Sequence, residues 1–102
     1  MKYTAKFPNT IIEKHFWNDF GLLPKETQED VLKAIRSLEN VPRPFGQKPF
    51  KQLNPPIAVY NFTAQYRIRI RDYRVLYDVD DQKKIIWIYV LRKRNEKTYR
   101  SQ

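Results

Sequence analysis

Residues 66–77 read YRIRIRDYRVLY. Arg67, Arg69, Arg71 and Arg74 in this stretch are the residues whose type and spacing can do chemistry. A guanidinium stays charged at any relevant pH and can hold a phosphate through two parallel hydrogen bonds. On a strand, Arg67, Arg69 and Arg71 project from one face while Tyr66, Ile68 and Ile70 project from the other. Arginines at i, i+2 and i+7 across a hairpin can converge on one anion. A solvated face kept basic for solubility is the plain alternative, and the pattern alone weighs the two equally.

Other chemistries lack their residues. His15 is the only histidine and reads as an ordinary helix residue. No pair of His, Asp or Glu has metal-ligand spacing, so no metal and no other cofactor is expected. With two glycines in the chain, a glycine-rich phosphate loop is excluded. Ser37 and Ser101 have no evident triad partners. The absence of cysteine fits a reducing cytosol. The segment MKYTAKFPNT has no signal-like apolar run, and no stretch nears the ~20 apolar residues of a membrane span. The expectation is a cytoplasmic protein with no membrane contact.

The bulk numbers narrow the partner. The 102 residues suffice for one domain, 1–102, and a 15% aromatic content helps so small a chain build a core. A net charge of +9 favours a polyanion: nucleic acid, an acidic protein or an anionic surface. The charge is uneven. Residues 24–40 are nearly balanced, whereas Arg92, Lys93, Arg94, Lys97 and Arg100 face Glu96 alone.

The elements that must position these residues follow from periodicity. Lys2–Phe7 alternates as a short strand. Asn9 or Thr10 caps a helix to about Phe20, with Ile12, Phe16 and Phe20 on one stripe and Gly21 as its stop. Pro24 suits the first turn of a second helix, whose buried face is Val31, Leu32, Ile35 and Leu38. A very short link makes the two an antiparallel hairpin. Residues 42–56 hold five of the seven prolines and read as a loop of restricted shape. Ile57–Phe62 reads as a strand, either separate or leading into the next. Gln65–Arg71 and Tyr73–Val79 are clear strands, Asp80–Gln82 a hairpin turn, and Ile85–Leu91 a central strand apolar on both faces. The order is βαα and then three to four strands. The fold class is α+β, with two helices on one face of a mainly antiparallel sheet and the arginines on the other.

The segment QYRIRIRDYRVLYDVDDQKKIIWIYVLRKRNEKTY, residues 65–99, resembles the RelE/ParE superfamily of toxin–antitoxin toxins. The shared pattern is a basic strand, a tight turn, Tyr-Arg-Val-x-Tyr, an apolar strand, and a terminal basic residue followed by Tyr. The helical hairpin and the P-x-P-F-G stretch also fit, so the resemblance spans most of the chain. It implies the RelE-like βααβββ fold. It further implies a metal-independent endoribonuclease that cuts mRNA in the A site of the 70S ribosome and stops translation.

The residues that the resemblance assigns to the active surface fall on Arg67, Arg69, Arg74, Arg94 and Tyr99. Lys48, Lys51, Arg71, Arg92, Lys93 and Lys97 are expected to help bind RNA. Such an enzyme orients the attack of the RNA 2′-hydroxyl and stabilises charge building on phosphorus. The implied partner is a cognate antitoxin protein; the toxin alone is expected to be a monomer and to form a hetero-oligomer with that antitoxin. A ParE-like branch, which inhibits DNA gyrase without nuclease activity, is the alternative. A non-catalytic RNA- or antitoxin-binding relative is a third. The chain departs from the family where Arg71 replaces a common Gly at the turn, where residues 54–64 expand the segment before the basic strand, and where arginines replace the lysines of RelE proper.

Overall fold

The structure is a computed structural model that describes residues 2–93. Its elements run β1 (Thr4–Lys6), α1 (Thr10–Gly21), α2 (Lys25–Asn40), β2 (Phe50–Val59), β3 (Phe62–Ile70), β4 (Tyr73–Asp80) and β5 (Ile85–Lys93). The strands form one sheet in the order β1-β5-β4-β3-β2, with β1 parallel to β5 and the other pairs antiparallel. The α+β order read from the sequence is therefore found, with one strand more resolved than the lower expectation.

Each helix starts and stops for local reasons. Asn9 caps α1, its side-chain oxygen accepting the Ile12 N–H at 2.9 Å, a contact of a kind that stabilises by about 1 kcal/mol. Gly21 is not the stop expected of it. It lies inside the helix, and the cap is Leu22 in a right-handed conformation. The α1 end is also held from outside: the Gln28 amide donates to Phe20 O at 3.0 Å and to Leu23 O at 3.3 Å. Phe20 O also accepts the Leu23 N–H at 3.1 Å, so the amide adds to a backbone bond that already closes the last turn. Pro24 caps α2 rather than entering its first turn.

The core lies between the helices and the sheet. Phe16, Val31 and Leu38 pack on Tyr66, Ile68, Ile70, Val75, Tyr77, Ile86 and Ile88. Ala5 of β1 and its flanking Tyr3 and Phe7 join them, as the alternation there demands. Full burial of a side chain such as Phe16, 1% exposed, stabilises by about 2–3 kcal/mol. The short β1 is closed on its outer side by α2: Tyr3 N–H donates to Glu39 O, and Ala5 N–H to the Glu39 carboxylate, both at 2.8 Å. An otherwise open sheet edge is thereby covered.

The proline-rich stretch differs from expectation. Residues 42–49 form the loop, but 50–56 are already strand. Strand β2 is an edge, so its N–H groups facing solvent need no ladder partner, and Pro55 and Pro56 fall where the pairing breaks. Gln52 pairs with Tyr66 and Ile57 with Ala64, so residues 53–56 oppose Gln65 alone. A second irregularity leaves Tyr89 as one extra residue on β5, because Leu76 pairs with Val90 and Tyr77 with Ile88. Bulges of this kind bend a strand and increase its twist.

The bent β2–β3 hairpin closes over the sheet face away from the helices. Val59 and Ala64, with Ile57 and Phe62, pack on Leu76, Tyr89 and Val90. The Phe62 ring stacks on Tyr89 at 5.2 Å. At the hairpin tip, Tyr60 stacks on His15 of α1 at 5.8 Å. His15 is thus exposed on its helix, as expected, but serves as the docking point of a distant turn.

Arg43 is the hub of the loop. Its Nε donates to the Tyr66 hydroxyl at 2.7 Å, and its two terminal nitrogens donate to Asp81 at 3.2 and 2.9 Å. Tyr3 donates to the same carboxylate at 2.6 Å, and Tyr77 donates to Pro42 O at 2.8 Å. Residues from β1, the loop, β3, β4 and the β4–β5 turn are so joined. Replacing Tyr77 by Phe removes the bond to Pro42 from a buried site. The expected loss is about 0.5–1.5 kcal/mol in a urea titration, with the fold intact. Asp81 is held down at about 2 by its bond to Arg43 and then by that from Tyr3. Because the folded value is depressed, the pairing stabilises fully above the ordinary carboxylate range, near pH 4, and is lost as pH falls toward 2. Asp81→Asn should flatten that acid limb in denaturation curves recorded between pH 5 and 2.

Candidate functional site

The register of the sheet decides which of the arginines stand together. Arg69 pairs with Arg74 across β3 and β4, and Arg74 pairs with Arg92 across β4 and β5. Paired residues share a face, so these three make one row across three strands. With strands about 4.8 Å apart, the row is on the order of 10 Å long. The next row on that face is Lys51, Arg67, Leu76 and Val90. Leu76 and Val90 belong to the second apolar cluster, so the face is basic toward the β3–β4 turn and apolar beyond it. Tyr66, Ile68 and Ile70 anchor β3 into the helix-side core, as the alternation predicts.

All four arginines of the face, at 67, 69, 74 and 92, are half-buried. Like charges directly opposite on a sheet repel, typically by about 0.2–1 kcal/mol per pair. A row of three is thus an arrangement whose charge suits an anion spanning it, each guanidinium offering several N–H donors. At the far end of the face stands Asp78, paired with Trp87. Burial pushes its carboxyl above the ordinary range, partly offset by the Val79 N–H that it accepts at 2.8 Å. The face therefore runs from basic to acidic along β4.

Not every expected residue joins the row. Arg71 occupies the β3–β4 turn at φ 56, the left-handed backbone for which glycine is the usual choice. That conformation turns its side chain back to α2. Its Nε donates to Asp30 at 2.7 Å, and Glu26 lies 3.8 Å from its terminal nitrogen. The strand alternation that would put Arg71 beside Arg67 and Arg69 ends at Ile70. Lys93 pairs with Tyr73 and so lies on the helix-side face. Lys51 stands beside Arg67, and Lys48 is exposed on the loop before it. Arg94, Lys97 and Tyr99 lie outside the described residues.

Two residues escaped the sequence reading. Arg43 sits in the proline-rich stretch, and nothing local marks it as a hub. Tyr60 was legible in principle: Tyr60–Asn61 is a two-residue break between the apolar runs of β2 and β3, the ordinary mark of a hairpin. Tyr60 lines a cavity of about 370 Å³ together with Tyr73, Arg92, Lys93 and Asp19. Among the described residues no group of His, Cys, Asp or Glu is placed to hold a metal. Among the same residues no helix is long and apolar enough to cross a membrane.

A sheet backed by two helices, with arginines in register on its second face, defines a small α+β protein with a basic sheet face. Residues 11–97 match the family described as the ParE toxin of the type II toxin–antitoxin system parDE, and the chain belongs to that family, within the RelE/ParE superfamily of toxins. It is the toxin component of a toxin–antitoxin system. Among solved structures it is similar to the archaeal RelE–RelB complex from Pyrococcus horikoshii OT3. There the identity is 27% and the TM-score 0.70, over 95% of this chain and all of that one. The RelBE2 toxin–antitoxin complex of Mycobacterium tuberculosis (22% identity, TM-score 0.62, 92% and 100% covered) shares the fold. So does a mutant of Escherichia coli RelE in the free state (20% identity, TM-score 0.57, 93% and 86% covered). No curated protein matches.

Occupying the row with an anion should stabilise the folded chain by mass action. Pyrophosphate is expected to raise the melting temperature more than chloride at equal ionic strength. That excess should shrink in Arg74→Ala, which differential scanning fluorimetry reads directly.

Proposed function

We propose that the protein is a ribosome-dependent endoribonuclease that cuts mRNA on the translating ribosome and so inhibits translation. The observation that carries this reading is the row Arg69–Arg74–Arg92 on one rigid face. In-register guanidinium groups can bind the phosphates on either side of a scissile bond and meet the charge that builds on phosphorus. The likeness to structures named RelE, one of them at 27% identity, supports the nuclease branch.

The division of labour follows from the chemistry. The RNA 2′-hydroxyl is the nucleophile, so the enzyme needs to orient it, stabilise the phosphorane-like charge and assist proton transfer. Arg74 is central in the row and is placed to meet that charge, with Arg69 and Arg67 beside it. Arginine is a poor proton donor, so proton transfer falls to other groups. The family resemblance puts Tyr99 and the basic Arg94 on the active surface, and Tyr99 can take that part or stack on a base. Alignment of message by the ribosome supplies orientation, an effect that reaches several kcal/mol. Lys48, Lys51 and Arg92 extend the basic surface along the RNA. Arg71 and Lys93 act from the other side of the sheet.

The partner in this reading is a cognate antitoxin. The similar archaeal toxin is seen complexed with RelB, and a basic face is covered fastest by a chain of complementary charge. Both belong to the cytoplasm. The second reading, inhibition of DNA gyrase, is favoured by one observation: the family model that matches is that of ParE.

The test is a cell-free bacterial translation reaction with purified protein and mapping of 5′ ends on the reporter message. Cuts confined to translated message, and lost in folded Arg74→Ala, are expected. A drop of 10²-fold or more fits removal of a transition-state charge partner. Intact message with undiminished translation would overturn the reading, and gyrase supercoiling assays with the same protein then decide for the second one.

A further inference from the structure

The cavity at the end of β5 is not explained by the arginine row, and Tyr60 is its unusual member. Tyr60 holds φ 55 in the two-residue turn between β2 and β3. Bulky L side chains rarely adopt that backbone, and a turn selected for stability carries Gly or Asn there. A strained aromatic residue in such a place points to a use for its ring.

The ring is a fixed platform. One face stacks on His15, nearly parallel at 16°, and the residue is still 52% exposed. The hairpin behind it is pinned by Val59 and by Phe62 on Tyr89. Around the cavity stand Tyr73, Arg92, Lys93, Asp19 and the exposed Leu22. Arg92 is also the last member of the row. A ligand tracking the row therefore meets this cavity next.

We propose that the cavity is a nucleobase subsite, in which Tyr60 stacks on one unpaired base of RNA while Arg92, the end of the row, holds the adjoining phosphate. This rests on RNA being the ligand of the basic face. Surfaces that bind single strands combine cations for the backbone with aromatic rings for the bases. Asp19 tells a base from a second phosphate. An acid in the wall opposes an anion inside the cavity, and its oxygens can accept from the exocyclic amine of adenine, guanine or cytosine. Uracil lacks that amine and has only its ring N3–H to offer, so the subsite prefers the other three.

The experiment is fluorescence anisotropy with short single-stranded RNA at low salt, scanning one abasic site along the oligomer. Three proteins are compared: wild type, Tyr60→Phe and Tyr60→Gly. Glycine suits the left-handed turn, and because the variant also loses the stack on His15, its fold is checked by melting temperature and by unchanged binding of pyrophosphate to the row. Tyr60→Phe should bind like wild type and Tyr60→Gly about five-fold or more weakly. One abasic position should weaken wild type and leave Tyr60→Gly unaffected, and uracil at that position should weaken wild type relative to adenine. Equal binding by wild type and Tyr60→Gly at every abasic position overturns the subsite. Failure of the nuclease reading shows separately, as uncut message in the translation reaction with the same wild-type preparation.

Discussion

The structure depends on the register of β4. That strand lies between β3 and β5, and its pairing places Arg74 between Arg69 and Arg92. A slip of one residue on the β3 side would turn Arg67 and Arg69 toward the helices and bring isoleucines to their places, and a slip on the β5 side would turn Arg92. What fixes the register is the face behind. Val75 and Tyr77 are wholly buried against both helices, with Ile68, Tyr66, Ile88 and Leu91 around them. The hydrophobic core thus does two things at once. It stabilises the fold, and it holds three like charges side by side where their repulsion alone would separate them. Rigid strands keep such groups in place better than loops do.

The second constraint is curvature. Two bulges act on opposite borders of the face: residues 53–56 on β2 and Tyr89 on β5. Together they bend the β2–β3 hairpin over Leu76 and Val90, so the apolar part of the second face is covered by the chain itself. The basic part is left beside the hairpin tip, with Tyr60 as a wall. Without the bend, an exposed apolar strip of Leu76, Tyr89 and Val90 would sit next to the arginines and invite unwanted association.

Much of this was legible in the sequence, because it rests on alternation. Tyr66, Ile68 and Ile70 against Arg67 and Arg69 gave the correct faces, and the helix boundaries were set by Asn9 and Pro24 within a residue or two. What failed were features decided by distant contacts. Gly21 suggested a stop, but the helix closes on Leu22 and Leu23 N–H groups, and Gln28 of the next helix adds a bond to Phe20 O. Pro55 and Pro56 suggested a loop, but an edge strand with a bulge accommodates both. The strand alternation included Arg71, but its φ of 56 breaks the alternation at the turn. Of the site itself, the sequence supplied Arg67, Arg69 and Arg74 from pattern. The cross-strand neighbour relation of Arg74 and Arg92 needed the register, which no local signal carries.

Arg43 and Arg71 show how the chain separates two uses of one residue type. Each ends on acidic groups of the chain: Arg43 on Asp81, and Arg71 on Asp30 with Glu26 nearby. Both join elements far apart in sequence, and both lie off the row. Asp30, Glu26 and Asp81 are thereby kept away from the basic face, where an internal carboxylate would compete with a phosphate for the same donors. Among the described residues Asp78 and Asp80 share that face, four and six residues along β4 from Arg74, at the far end of the strand. A sequence with balanced charge could form the same helices and sheet. Here Asp30, Glu26 and Asp81 are taken up by arginines off the row, which a fold alone does not require and which suits an anionic ligand.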